Sequence, residues 1–295
     1  MSSAFTAVDL STLPAPQVIE ALDFDTIFAD MLADLIARDS TYSALVESDP
    51  AYKILEVAAY REVLLRQRVN EAAQAIMLSY ADDADLDQIG ANYNVPRLVV
   101  VPADDTTIPP TPAVMESDTS YRARIQLSFE GFSTAGPVGA YLSHALDADG
   151  RVSDVSVVSP TPGQVLVTVL SNVGNGVPTQ DIIDAVTAEL NTDDIRPLTD
   201  QVTVAPAAVV NYAISAILEL FDGPDSSVVI EAAQIAAQDY ADSCRRLGAE
   251  VALSGIYGAL HQVGVKAVTL TAPVANLTTD SGHAPFCTAI DITEA

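Results

Sequence analysis

The stretch DPAYKILEVAAYREVLLRQRVNEAAQAIMLSY, residues 49–80, decides how the N-terminal third of the chain is read. It opens on Asp49 and Pro50, a helix-start pair: proline needs no N–H partner in the first turn, and the aspartate can accept an orphan donor. Nothing that follows breaks a helix, so the sequence predicts one helix reaching about Tyr80. At about 100° per residue, Ile54, Val57, Ala58, Leu64, Leu65, Val69, Ala72 and Ile76 share one face. Arg61 and Arg68, seven residues apart, fall inside that same face. A guanidinium enclosed by apolar side chains needs a carboxylate, because a buried charge left unpaired is strongly destabilising. Glu47, Asp49, Asp85 and Asp87 flank the helix and are candidate partners; a carboxylate from another chain is the alternative. Glu62 and Arg66 form an i,i+4 pair with the acid N-terminal, worth only tenths of a kcal/mol.

Outward from this helix the chain divides by pattern. Upstream, Asp23 or Asp25 can cap a helix with apolar positions Phe24, Phe28, Met31, Leu32, Leu35 and Ile36. Residues 1–95 therefore read as a helical region. Residues 96–150 read as a linker followed by two short helices: prolines stand at 96, 102, 109, 110 and 112, beside Asp104, Asp105 and three threonines. One short helix begins near Ser117 and Asp118 and carries Arg122 and Arg124; the other runs from Pro137, after Thr134-Ala135-Gly136, to about Leu146. From Arg151 the pattern becomes strand-like. β-Branched runs at 152–158 and 165–170 flank a turn at 160–163, then a helix at 179–190 and a strand at 201–204. A second unit follows: an alternating strand at 209–220, helices at 227–246 and 253–263, and a closing strand at 266–271. The expected fold class is α+β, with a helical N-terminal region and two small α+β modules at 151–206 and 207–274. Residues 275–295 stand as a tail.

Composition narrows the function. Among 295 residues, 40 Asp and Glu against 13 Lys and Arg give a net charge of −27. Such a chain offers no electrostatic footprint for phosphate backbones or anionic membrane surfaces, so neither nucleic acid nor membrane is an expected partner. The hydrophobic fraction of 49% speaks against a disordered chain, and no apolar stretch is long enough for a bilayer span. Residues 1–10 show no secretory pattern, which predicts a soluble chain made in the cytoplasm. Cys244 and Cys287 are then expected as free thiols.

The motifs of chemistry are mostly missing. His144, His261 and His283 do not pair with a cysteine at metal-ligand spacing; Pro285 interrupts His283 and Cys287, so neither metal nor cofactor is expected. Asp83, Asp85 and Asp87 start like a calcium loop, but Gln88 and Asn94 stand where glycine and glutamate are needed. Gly174-Asn175-Gly176 lacks the Lys-Ser/Thr of a phosphate loop, and Ser254-Gly255 lacks the upstream glycine of a nucleophile elbow. Abundant carboxylates keep an acidic glycan hydrolase as the enzymatic alternative, against which stands the absence of tryptophan for stacking sugars. A receptor-binding adhesin is the third reading.

Glu47-Ser48-Asp49-Pro50, then Tyr60-Arg61-Glu62, then Leu65-Arg66-Gln67-Arg68-Val69-Asn70-Glu71-Ala72 resemble the baseplate J-like family of contractile-tailed phages and related injection machines. Ala84-Asp85-Leu86-Asp87 with Gly90, Val95-Pro96-Arg97, Arg122 and Arg124, Ala135-Gly136-Pro137, Arg196-Pro197-Leu198-Thr199-Asp200 and Gly264-Val265 continue the resemblance across residues 15–275. Two departures stand out. Asp82-Asp83 occupies a place where the family often has a glycine, and residues 275–295 carry no resemblance. The resemblance implies a non-enzymatic wedge subunit of a sixfold baseplate in the virion tail, assembled in the host cytoplasm. Its implied partners are a second wedge protein, copies of itself, and hub and sheath-proximal proteins. It implies also that movement at the tail tip reaches the sheath through rearranged interfaces. Glu47, Asp49, Arg61, Leu65, Arg66, Arg68 and Ile76 would lie in or beside the bundle-forming segment.

Overall fold

The computed structural model describes residues 8, 10, 13, 14, 16, 18–132, 137–223 and 225–295. They form an α+β chain of two compact units, one ending at Pro96 and one running on from Arg97.

The first unit holds three helices: α1 (Phe24–Arg38), α2 (Pro50–Ala75) and α3 (Asp83–Asn92). Asp23 caps α1, its carboxylate accepting the Thr26 N–H at 3.0 Å. α1 lies against α2, with the Phe28 ring 4.8 Å from that of Tyr52. Pro50 takes the first turn of α2 as expected, but Asp49 does not cap it: its carboxylate accepts the Val46 N–H at 3.0 Å, upstream of the helix. α2 also stops at Ala75, short of Tyr80. The chain then turns, the Tyr80 and Ala81 N–H groups both donating to the Met77 carbonyl. No glycine or proline marks this stop; tertiary packing makes it, since Ala81 and Leu86 are both buried.

α3 explains two sequence oddities. Asp83 has φ +48°, the left-handed region, which fits a segment where the family often has a glycine. Asn94, at φ +58°, follows the helix end while the Val95 N–H reaches back to the Gly90 carbonyl at 3.0 Å and the Asn94 N–H to that of Ala91 at 3.2 Å. That is a Schellman cap, so Asn94 closes a helix.

The second unit begins where a linker was expected. β1 (Val99–Val101) pairs antiparallel with β2 (Val114–Met115), and Asp104 and Thr111 exchange both backbone hydrogen bonds at 2.9 Å. The proline-rich segment is thus a hairpin, with Pro102, Pro109, Pro110 and Pro112 outside the paired positions, where a missing N–H costs little. Ser117 caps α4 (Asp118–Leu127), accepting the Ser120 N–H at 3.2 Å. Arg124 turns inward from α4, is buried, and donates to Glu116 and, at 2.8 Å, to Asp147. Glu116 also accepts the Leu98 N–H at 2.8 Å, while Arg97 pairs with Asp118 at 2.6 Å and lies over the Tyr121 ring. Burial pushes the Glu116 carboxyl above its ordinary range even so. The hairpin, α4 and the end of α5 (Val138–Asp147) are tied by this network. The expected Thr134-Ala135-Gly136 lead into α5 lies outside the described residues.

α5 is a full member of the first module. Its Tyr141 and Ala145 share a core with Val155, Val167, Val169, Ile182, Val186 and Leu190. The sheet there runs β3 (Val152–Val158), β4 (Gln164–Ser171), β5 (Gln201–Pro206), with β3 antiparallel and β5 parallel to β4. α6 (Gln180–Leu190) makes the crossover that a parallel pair requires.

The second module is larger than expected, because residues 275–295 complete it. Its sheet has the order β10 (His283–Glu294), β6 (Ala208–Leu220), β8 (Val265–Ala272). β10 runs parallel to β6 along nearly its whole length, and β8 antiparallel. α7 (Ser226–Ser243) and α8 (Leu253–Leu260) cover it, and β7 (Glu250–Val251) pairs with β9 (Leu277–Thr278). Ala233, Ala237 and Ala241 let α7 sit close to the sheet, where Ile214, Leu218, Ile256, Leu260 and Ile292 fill the core. Gly255 meets the Tyr240 ring so closely that a Cβ there would lie 2.3 Å from it, which is why a glycine follows Ser254.

The two modules join without a linker. Ala207 alone separates β5 from β6, and its N–H donates to the Val169 carbonyl at 2.9 Å. Leu170, Ala207 and Ala284 pack together; Asp154 accepts the Leu247 N–H at 2.8 Å, and Arg245 donates to the Gly174 carbonyl at 2.7 Å.

Candidate assembly interface

α2 has two faces of opposite fate. Ala59 and Asn70, eleven residues apart and so on one side of a helix, are buried. Asn70 works as a surrogate strand partner for Glu20: it accepts the Glu20 N–H at 3.1 Å and donates to the Glu20 carbonyl at 2.9 Å. The segment around Glu20 is thereby clipped along α2. Asn70→Ala should lower the stability of the N-terminal unit by about 1–2 kcal/mol, the usual effect of losing a hydrogen-bonded buried side chain. The midpoint of urea unfolding of the full chain, followed by circular dichroism, measures it.

The other face is the apolar stripe expected from the sequence, and it is open to solvent. Ile54 is 69% exposed, Leu65 64% and Ile76 77%, with Val57, Leu64 and Val69 exposed beside them. The stripe does not rest on the chain's own core. Arg61 and Arg68 stand outward within it. Arg61 forms no ion pair among the described residues, and Arg68 has only a 3.8 Å contact with Glu71, its side chain 83% exposed. Neither pairs with Glu47, Asp49, Asp85 or Asp87, so the internal partners considered from the sequence are not used. Arg66 is different: it bridges Glu62 at 2.9 Å and Glu20 at 3.3 Å. Beside the stripe, Val18, Glu20, Glu62, Leu65, Arg66, Val69 and Asn70 line an open groove of about 260 Å³.

Of the positions singled out from the sequence, Arg61, Leu65, Arg68 and Ile76 share this outward face. Arg66 lies at its edge, and Asp49 is spent on the turn before α2. Asn70 was missed as a structural residue, although an asparagine eleven residues after a small one on the same side was the available signal.

Two carboxyls are pushed upward by burial, as a general acid's would be, and both are occupied in packing. Glu116 sits in the arginine network, and Asp154 accepts the Leu247 and Val155 N–H groups. His283 bonds to Asp280 at 2.6 Å, at the start of a strand. Among the described residues no helix is long and apolar enough to cross a membrane.

Residues 47–104 match the Baseplate J-like N-terminal domain, and residues 133–206 the Baseplate J-like central domain. Baseplate protein J of Escherichia phage P2 is 51% identical over 288 residues, covering 95% of each chain. A chain in the cryo-EM structure of the anti-feeding prophage baseplate, 6-fold symmetrised, is similar at 12% identity and a TM-score of 0.33, over 90% of this chain. This chain spans 53%, about half, of that one. With half its residues shared with a baseplate protein J across nearly the whole length, the chain belongs to the baseplate J-like family.

Proposed function

We propose that this chain is a wedge subunit of a tail baseplate that docks onto a second wedge protein through the outward face of α2. Its α+β modules link neighbouring wedges into a ring around the hub. The coarser part, a structural subunit of a phage baseplate, follows from the family. The finer part rests on one observation: the longest helix turns Ile54, Val57, Leu64, Leu65, Val69 and Ile76 to solvent. Burying each such side chain is worth roughly 1.5–3 kcal/mol, a gain the isolated chain forgoes and a neighbouring helix recovers. Signals pass through such a part by rearranged interfaces, with no covalent step.

The test places a photo-crosslinking amino acid at position 65 in the full chain and assembles it into native particles. A cross-link from that position to a different subunit is the expected result. If position 65 in the finished particle reacts with no other polypeptide, the docking assignment fails.

A further inference from the structure

The chain's two cysteines, Cys244 at the end of α7 and Cys287 in β10, are free thiols. Far apart in sequence, they come to one place in the second module. The segment that follows α7 runs beside the start of β10. There the Gly248 N–H donates to the His283 carbonyl at 3.0 Å, and the Arg245 guanidinium lies 5.1 Å from the centre of the Phe286 ring. Counting back along one segment and forward along the other sets Cys244 against Cys287. Cys244 is buried in the module's core, and Cys287, half-buried in the edge strand, packs against that core.

Beside them stands a polar group with nothing to bond. Tyr212 is the register partner of Cys287 across β6 and β10, and it is only 9% exposed. Its hydroxyl is enclosed, has both sulfurs as electrostatic neighbours, and makes no hydrogen bond among the described residues. Such an orphan calls for a partner absent from the resting chain, and an oxygen added to the Cys287 sulfur is one.

We infer that Cys287 is a peroxide-sensitive thiol and Cys244 its resolving partner, closing an internal disulfide that pins β10 to the end of α7. The Cys287 thiolate sulfur attacks a peroxide oxygen and the O–O bond breaks. The leaving hydroxide takes up the thiol's proton as water, and a sulfenic acid remains. Its oxygen accepts a hydrogen bond from the Tyr212 hydroxyl. The Cys244 thiolate then attacks the Cys287 sulfur, the S–O bond breaks, a second water leaves and the S–S bond forms. Two electrons pass from the thiol pair to the peroxide. The pair stays open wherever cellular thiols keep cysteines reduced and closes where peroxide meets the chain without them. None of this depends on the docking role of α2.

Full chain, reduced and freed of reductant, is treated with hydrogen peroxide and followed by intact mass, peptide mapping and thiol titration in denaturant. The expected product has lost two hydrogens, gained no oxygen, and carries Cys244 joined to Cys287 within one chain. Burial holds the Cys287 thiol above its ordinary range, and the thiolate is the reacting species. Closure should therefore quicken by up to about tenfold per pH unit between about pH 7 and 9. The closed chain should unfold at a higher urea concentration than the reduced one, because the link restricts the unfolded chain. Cys244→Ser should stop at the sulfenic acid, captured by dimedone, and adding Tyr212→Phe should lower that capture severalfold. Unchanged capture overturns the hydroxyl's part. The peptide map of the unsubstituted chain decides the case even where a variant fails to fold. Cys287 carried on to sulfinic acid while Cys244 stays a thiol, a disulfide joining two chains, or no reaction at all overturns the inference.

Discussion

A chain ended at Pro273 loses the cooperative unfolding of its second module. Such a chain lacks β9 and β10. β10 is paired with β6 from Ala208 to Leu218, and α7 rests on it more than on any other strand of that sheet. With it go the buried Ala284 and Ile292 and the partly buried Ile290 and Cys287. Emptying the Ile292 site alone costs about 2–5 kcal/mol. Losing a whole strand ladder besides exceeds the roughly 5–15 kcal/mol that holds a typical domain folded. Urea unfolding followed by far-ultraviolet dichroism and tyrosine emission makes the comparison. A truncated chain that kept the full-length midpoint and amplitude would show that the sheet manages without β10.

Leu64→Asp combined with Leu65→Asp leaves the isolated chain unchanged and stops its incorporation into particles. Both leucines are exposed, so the substitutions fall in the class that moves stability by no more than about 0.5 kcal/mol. On a covered face the same two carboxylates must be desolvated, a cost that the neighbouring Arg61 and Arg68 offset only in part. A few kcal/mol for each lowers affinity by roughly a thousandfold or more. Thermal melting of the purified chain and electron microscopy of assembled tails read the two halves separately. An early melt would mean that the leucines support the chain's own fold; normal particles would move the docking surface elsewhere.

The sequence was most legible where local chemistry and tertiary packing agree. Asp23 caps as its side chain dictates, β3 occupies the β-branched run at 152–158, and Pro137 leads α5. It misled where a strong local signal met a tertiary one. The prolines between 96 and 112 read as linker, yet only the unpaired positions hold them, and a hairpin closes around them. Met77–Tyr80 carries no helix breaker, and α2 still ends because Ala81 and Leu86 must be buried. Residues 283–294 alternate too weakly for a strand on an open sheet face; pairing with β6 and cover from α7 make them one. At the candidate interface, the sequence revealed which residues share a face. It could not show that the face is turned outward, because a stripe built for a neighbour and one built for the chain's own core look alike. The direction was decided by Ala59 and Asn70, whose smallness and amide let α1 and the Glu20 segment occupy the opposite side.

The single alanine between β5 and β6 has a mechanical consequence. A joint of one residue, flanked by Pro206 and pinned on both sides by Asp154, Arg245 and the Leu170 contact, has no slack in which to bend. Torque applied to either sheet is delivered to the other as rotation of one stiff elbow, so any flexing that accompanies firing of the tail must be absorbed somewhere else.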